Sequence, residues 1–185
     1  MAAALRLVTG RLLLRGFEEG DFEAVHHYAS DPEVTRYTHF GPNSEEETRE
    51  FLRSAASPKE GSLKTYDFAI ALKSEGRLIG GCSIRISADK EYEASIGYVL
   101  AREHWGQGFA TEAASALLQF GFQQLGLQRI VATCHPSNTA SWRVMEKNGM
   151  RREGSVRDER CQKKKWPDCL LYAITAPVRA TSHAD

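Results

Sequence analysis

The chain has 185 residues, with 24 Lys+Arg against 24 Asp+Glu and a formal net charge of zero. Hydrophobic residues at 42% and charged residues at 26% are ordinary globular values, which excludes wholesale disorder, and the zero balance removes the overall case for a nucleic-acid binder. The length suits one domain, and a chain of this size buries roughly 70% of its unfolded surface, so no disulfide or metal staple is required.

The predicted elements begin with a short strand over residues 11–15 (RLLLR). Residues 21–29 read as a helix with Asp21 as its cap and Phe22, Val25, Tyr28 and Ala29 on one face, broken by Ser30-Asp31-Pro32. A second helix starts at Ser44, where Ser44-Glu45-Glu46-Glu47 has the form of a capping box, and runs to about Ala56 with Phe51 and Leu52 inward. The period then changes. Residues 66–72 and 77–86 form a strand pair about the turn Ser74-Glu75-Gly76, and 94–100 (ASIGYVL) a third strand. Residues 110–125 are the strongest helix, with Ala113, Ala114, Leu117, Leu118, Gly121, Phe122 and Leu125 on one broad face and Gly126 as the stop. A strand at 129–134, a short helix at 138–147 and two late strands follow, the last over 170–175. The expected fold is one α+β domain over residues 6–175, in the order βααβββαβαββ, with residues 176–185 as a tail.

The four cysteines (Cys82, Cys134, Cys161, Cys169) match no zinc spacing and read as free thiols of a reducing compartment. Cys161 and Cys169 flank the turn-like stretch 162–168 and are the pair placed to face each other. His26, His27, His39, His104, His135 and His183 show no ligand spacing, so no metal is assigned. The N-terminal stretch lacks the pattern of a secretion signal and no run of about 18 apolar residues occurs, so the expectation is a soluble cytoplasmic protein without a membrane partner.

Between a strand and the best helix lies Arg102-Glu103-His104-Trp105-Gly106-Gln107-Gly108-Phe109-Ala110-Thr111-Glu112. Here loop amides and a helix N-terminus can meet an anion, and Gly106 and Gly108 let the backbone turn tightly and approach it. The N–H groups of Gln107 through Thr111 could converge on a pyrophosphate. Two familiar phosphate motifs do not fit. A dinucleotide fingerprint needs glycine or alanine at Thr111 and an acidic residue about 20 positions on, and a P-loop needs G-K-[ST].

Several ordered motifs together carry a resemblance. Ile96-Gly97-Tyr98-Val99-Leu100, then Trp105-Gly106-Gln107-Gly108-Phe109-Ala110-Thr111-Glu112-Ala113, then Asn138-Thr139-Ala140-Ser141 with Met145-Glu146-Lys147-Asn148-Gly149-Met150, resemble the GNAT acetyltransferase superfamily. The opening Arg11–Arg15, the stretch Ser30–Tyr37 and Val156-Arg157-Asp158 look like the ribosomal-protein-alanine N-acetyltransferase branch, so the similarity covers residues 6 to about 175. The resemblance implies a central mixed, mostly antiparallel sheet that splays to hold acetyl-CoA, with no metal. It implies amides of Gln107, Gly108, Phe109, Ala110 and Thr111 on the CoA pyrophosphate, and Tyr98, Val99 and Leu100 pairing with the pantetheine arm. Asn138 matches an asparagine that reaches the pantetheine; it is equally placed to cap the 138–147 helix. Arg102 stands beside Glu103, where the family commonly has Gln or Arg, and is either a phosphate contact or a solvated charge.

The implied reaction is attack of a neutral amine on the thioester, with positioning and oxyanion donors supplying most of the catalysis. By resemblance, the Val99 backbone N–H is the expected oxyanion donor. Many relatives carry glutamate where this chain has Ser95, so Glu93, two residues back on the same strand face, is the candidate base; Glu91 and water-mediated deprotonation are the alternatives. The position of the family's usual tyrosine acid is Met145, which donates no proton. Ser141 matches the serine of this branch and reads as a thiolate or CoA contact, or as a hydroxyl bonding locally at the helix start. Tyr37 and Phe40 lie in a segment that borders the acceptor in relatives, and Trp105 is expected to pack under the glycine loop.

Residues 151–165 carry a net +4 and residues 43–50 a net −3, which a solvated hairpin and a polar helix face explain. A sharper reading is that the acidic residues select a basic acceptor. Three functions compete: acetylation of a protein N-terminal α-amine such as that of a ribosomal protein, acetylation of a small amine, and acyl-CoA binding without turnover. Relatives in this branch commonly form homodimers.

Overall fold

The computed structural model describes residues 5–56, 65–157 and 168–177 of the chain. They form one eight-stranded sheet: β1 (Leu7–Val8), β2 (Leu12–Arg15), β3 (Thr65–Leu72), β4 (Leu78–Ile86), β5 (Glu93–Leu100), β6 (Arg129–Cys134), β7 (Arg151–Val156) and β8 (Cys169–Thr175). Its order is β1-β2-β3-β4-β5-β6-β8-β7, and among the described residues every pairing is antiparallel except β5–β6. The helices are α1 (Phe22–Ala29), α2 (Glu45–Ala56), α3 (Phe109–Gln119) and α4 (Thr139–Lys147). This is the expected α+β fold with one addition, the two-residue β1, too short to show a period.

Each face of the sheet buries its own core. On one face α3 and α4 cover Leu12, Leu14, Phe68, Ile70, Ile84, Ile96, Ile130 and their neighbours. On the other, α1 and α2 cover Phe17, Val25, Tyr28, Leu52, Ala69 and Leu78. The α2 capping box forms as the sequence predicts: the Ser44 N–H donates to Glu47 Oε2 at 2.7 Å and the Glu47 N–H to Ser44 Oγ at 3.3 Å. Leu52 is buried, whereas Phe51, expected inward, is 36% exposed, with its ring edge-to-face with Phe17. The predicted helix over 110–125 is α-helical to Gln119 and continues as a wider π turn over Phe120–Gln124. There Gly121 sits so close to the sheet that a Cβ would lie 2.6 Å from Ile130 Cδ1.

The parallel seam decides where a ligand can enter. β5 pairs with β6 only at Glu93, Ala94 and Ser95, opposite Arg129, Ile130 and Val131. Beyond Ser95 the two strands are no longer paired, while β5 stays registered on β4 up to Leu100.

Candidate active site

The direction of each backbone group on β5 follows from its register. The Ser87 N–H donates to the Glu93 carbonyl and the Ala101 N–H to the Ile79 carbonyl, and no register shift separates these two bonds. In an antiparallel ladder hydrogen-bonded pairs recur every second residue, so Ser95, Gly97 and Val99 spend their backbone groups on β4. The even-numbered residues face the other way, as shown by the Tyr92 carbonyl accepting from Gln128 and Arg129. Tyr98 and Leu100 therefore turn their backbone groups into the gap beside β6. This corrects the choice of Val99 as oxyanion donor: its N–H is directed at Gly81 of β4. The Val99 side chain packs with the α1/α2 core instead.

Gly80 makes that geometry possible. A Cβ at this position would lie 2.2 Å from the Val99 carbonyl oxygen and 2.9 Å from Leu100 Cα. No real Cβ tolerates such a contact, so only glycine lets β4 close on the end of β5. The Leu100 carbonyl is held by the Trp105 indole N–H at 2.9 Å. Trp105 is thus not packed under the loop; the residue is 46% exposed and its indole nitrogen finishes the strand.

The chain then turns through residues 102–104 into the glycine loop, where Gly106 and Gly108 have φ of 74° and 82°. These left-handed conformations favour glycine. Gly108 is the N-cap of α3 and offers no side chain, so the N–H groups of Phe109, Ala110 and Thr111 lack intrahelical partners by construction. They point out of the helix end with its partial positive charge. Gln107 anchors the loop through its side-chain amide, which donates to the Glu103 carbonyl at 2.9 Å. Glu103 is itself 3.1 Å from His27 of α1. Arg102 is exposed at the loop's edge.

Across the open seam, α4 begins with Asn138, whose Oδ1 accepts from the Ser141 N–H at 3.2 Å, so the capping reading of Asn138 holds. Tyr98 reaches over from β5: its hydroxyl donates to the Ser141 carbonyl at 2.9 Å and lies 3.2 Å from Ser141 Oγ. Burial holds the Tyr98 phenol above its ordinary range, against the pull of the Ser141 hydrogen bond, so it is a proton donor at neutral pH. Cys134, at the end of β6, contacts the Ser141 hydroxyl; burial pushes its thiol up to about 11, although Ser141 and the Arg152 charge pull it down. The seam's open end therefore gathers a phenol, a hydroxyl and a protonated thiol.

Glu93 lies at the other end of β5, six residues from Val99, or about 20 Å along a strand. Its Oε2 accepts from Arg129 Nε at 2.7 Å and its Oε1 lies 3.8 Å from Lys90 Nζ. Arg129 also binds both oxygens of Glu153, at 2.7 and 2.6 Å. A carboxylate engaged this way, and so far from the gap, is a structural group; this corrects its choice as base. Tyr37 stacks on His135, which follows Cys134, with ring centroids 5.0 Å apart, while Phe40 is 39% exposed. The structure thus brings Tyr37 to the mouth of the gap. Cys82, Cys134 and Cys169 are buried free thiols, and Cys161 lies outside the described residues. Among those residues no group of three or more His, Cys, Asp or Glu is placed to hold a metal, and no helix is long and apolar enough to cross a membrane.

Sequence reasoning missed the Tyr98 hydroxyl, Cys134 and His135. Nothing local to Tyr98 in the sequence announces Ser141, 43 residues away, as its partner.

A parallel seam that opens beside a glycine loop at a helix start defines an acyl-CoA-type transferase fold. The family model for the acetyltransferase (GNAT) domain matches residues 11–151, and the chain belongs to this family. It is 37% identical over 171 residues to the uncharacterized N-acetyltransferase YnaD of Bacillus subtilis, covering 92% of this chain and 96% of that protein. The ribosomal-protein-serine acetyltransferase of Escherichia coli is 30% identical over 130 residues, 70% of this chain and 71% of its own. The crystal structure of a GNAT-family acetyltransferase from Bacillus anthracis superposes with a TM-score of 0.82 at 39% identity, covering 92% and 98% of the two chains. The protein is an N-acetyltransferase, and the donor in this family is acetyl-CoA.

Proposed function

We propose that the chain acetylates the N-terminal α-amine of a protein, such as a ribosomal protein, in the cytoplasm. The observation that carries this is that Glu93, the carboxylate nominated as base, is committed to Arg129 and lies away from the gap. An α-amino group, with a pKa near 8, has a usable neutral fraction without a strong base, whereas a lysine near 10.4 does not. The ribosomal-protein-serine acetyltransferase among the relatives and the aromatic pair Tyr37–His135 at the mouth support a peptide terminus as the acceptor. Buried free thiols suit a reducing compartment.

In this reading the amides of Gln107, Gly108, Phe109, Ala110 and Thr111 take the pyrophosphate, with Arg102 at the rim. The pantetheine arm lies in the seam against the backbone of Tyr98 and Leu100, with Asn138 beside it. Acetyl-CoA supplies the thioester. The amine attacks its carbonyl, and the Tyr98 N–H meets the oxyanion. Ser141 Oγ gives a proton to the departing thiolate and regains one from the Tyr98 hydroxyl 3.2 Å away, and the proton lost by the attacking amine passes through water to restore the Tyr98 phenol. Tyr37 and Phe40 wall the acceptor.

The test is thiol release from acetyl-CoA with a panel of N-terminal peptides, N-blocked lysine peptides and small amines, with products assigned by mass spectrometry. Acetylation confined to free peptide termini is the expected result. Turnover on small amines alone overturns the acceptor class, and CoA binding without turnover on any acceptor overturns the enzyme reading.

A further inference from the structure

The glycine loop is tied to a distant part of the chain by contacts that holding a phosphate on its amides does not itself require. Arg11 immediately precedes β2, and its guanidinium lies against the loop: Nη1 donates to the Gln107 carbonyl at 3.0 Å, and Nη2 would lie 3.5 Å from a Cβ on Gly108. The same group stacks 4.4 Å above the Phe109 ring. Its Nε donates to Glu112 Oε2 at 2.7 Å. Glu112, in the first turn of α3, also accepts the Arg11 backbone N–H at 2.8 Å and the Thr9 hydroxyl at 2.6 Å. Thr9 in turn takes the Leu12 N–H on its hydroxyl, and Lys73 donates to the Thr9 carbonyl at 3.0 Å.

Two physical consequences follow. First, the bond to Gln107 occupies an acceptor of the loop itself. The Gln107 carbonyl is held by Arg11, which fixes the loop beside the uncapped N-terminal amides of α3, where a phosphate would sit. Second, Glu112 places a carboxylate on the first turn of the very helix end that is to receive an anion. Burial alone would raise the Glu112 carboxyl, but the Thr9 hydroxyl and the Arg11 amide, hydrogen bond and charge outweigh it and hold it below its ordinary range. It is therefore ionised at neutral pH, and a bare carboxylate there would repel pyrophosphate. The paired guanidinium cancels that charge.

We propose that Arg11 and Glu112 are positioning residues for acetyl-CoA, clamping the glycine loop in its phosphate-receiving form while Arg11 masks the Glu112 charge. This rests on the reading that the loop binds the CoA pyrophosphate.

Calorimetric titration of the full chain with CoA tests it, together with steady-state kinetics. Arg11→Ala should weaken CoA binding and raise the KM for acetyl-CoA by roughly tenfold, the weight of a charge-assisted hydrogen bond, with kcat within twofold. The Arg11→Ala/Glu112→Gln double variant should recover about threefold of that loss, because glutamine keeps an acceptor for Thr9 and the Arg11 N–H but carries no charge. Arg11→Lys should recover little, since one ammonium cannot reach Glu112 and the Gln107 carbonyl together. Unaltered CoA affinity in Arg11→Ala, or a double variant no better than the single, overturns the proposal. So does a loss of melting temperature with no selective change in KM. If the unmodified protein does not bind CoA, it is the underlying reading of the loop that falls.

Discussion

The two ends of the β5–β6 seam are built from opposite materials. At the Glu93 end the strands are paired, and Arg129 joins Glu93 to Glu153 in a three-residue ionic stitch. At the Tyr98 end the pairing has stopped, and the Tyr98 phenol bridges the span by reaching Ser141. One end is charged and closed. The other is neutral and open, lined by groups that stay protonated at neutral pH. The contrast teaches that the site is made by ending a sheet pairing, with the ionic stitch fixing where the opening starts. Polar side chains only trim what the backbone leaves free.

The largest effect should come from distorting the open end through its backbone. Gly80→Ala puts a methyl group 2.2 Å from the Val99 carbonyl, so the end of β5 must move by a sizeable fraction of an ångström. A displacement of about 1 Å at reacting groups costs up to about a hundredfold, and kcat/KM should drop toward that value. A calorimetric CoA titration separates lost binding from lost turnover. Unaltered kinetics would mean that the strand end does not shape the site.

A smaller effect is expected from Tyr98→Phe, which keeps the ring and removes the hydroxyl that bridges the open end. If that hydroxyl reprotonates Ser141, kcat should fall roughly tenfold, below the usual range for a direct acid because Ser141 remains. The KM for acetyl-CoA should stay within twofold. A fall in melting temperature at unchanged kcat would leave Tyr98 a strap and nothing more. Ser141→Ala should lower kcat at least as far.

Much of this contrast was legible in the sequence, and the remainder was not for definite reasons. The glycine loop and the Ser44–Glu47 box are local, so spacing alone exposes them. The strands from Thr65 to Leu100 announce themselves by β-rich runs and a turn. Val99 was misassigned because hydrogen-bond direction alternates with every residue, and only the observed register sets its parity. Glu93 was misassigned because its partner Arg129 is 36 residues away in sequence. The Arg11–Glu112 pair is separated by 101 residues, beyond the reach of any periodic pattern. The place of Trp105 follows from its single N–H, whose partner, the Leu100 carbonyl, no local pattern reveals.

At the closed end, Glu93→Ala should spare catalysis and cost stability. Arg129 keeps its two bonds to Glu153, so the loss is that of one partly buried ion pair, about 1 kcal/mol, or about 2–4 °C in melting temperature for a chain of this size. Turnover should remain within twofold across pH. A fall in kcat of a hundredfold, with the alkaline rise of the pH–rate curve displaced, would restore Glu93 as the base and erase the division between the two ends.

The weakest handle on the open end is Cys134. Its thiol is buried against Ser141 and pushed up to about 11, so it is neutral at pH 7, and the thiolate is the form that alkylates. Labelling of Cys134 by iodoacetamide, followed by peptide mass spectrometry, should therefore be slow at pH 7. It should gain about tenfold per pH unit and keep rising past pH 8.5, where an ordinary thiol levels off. CoA, filling the gap beside β6, should slow it further. A plateau near pH 8.5 would mean that water reaches Cys134 freely. Labelling that saturating CoA does not slow would put the pantetheine arm outside the open seam. Cys134→Ala should leave kcat within twofold, since a neutral thiol takes no proton and gives none in the reaction.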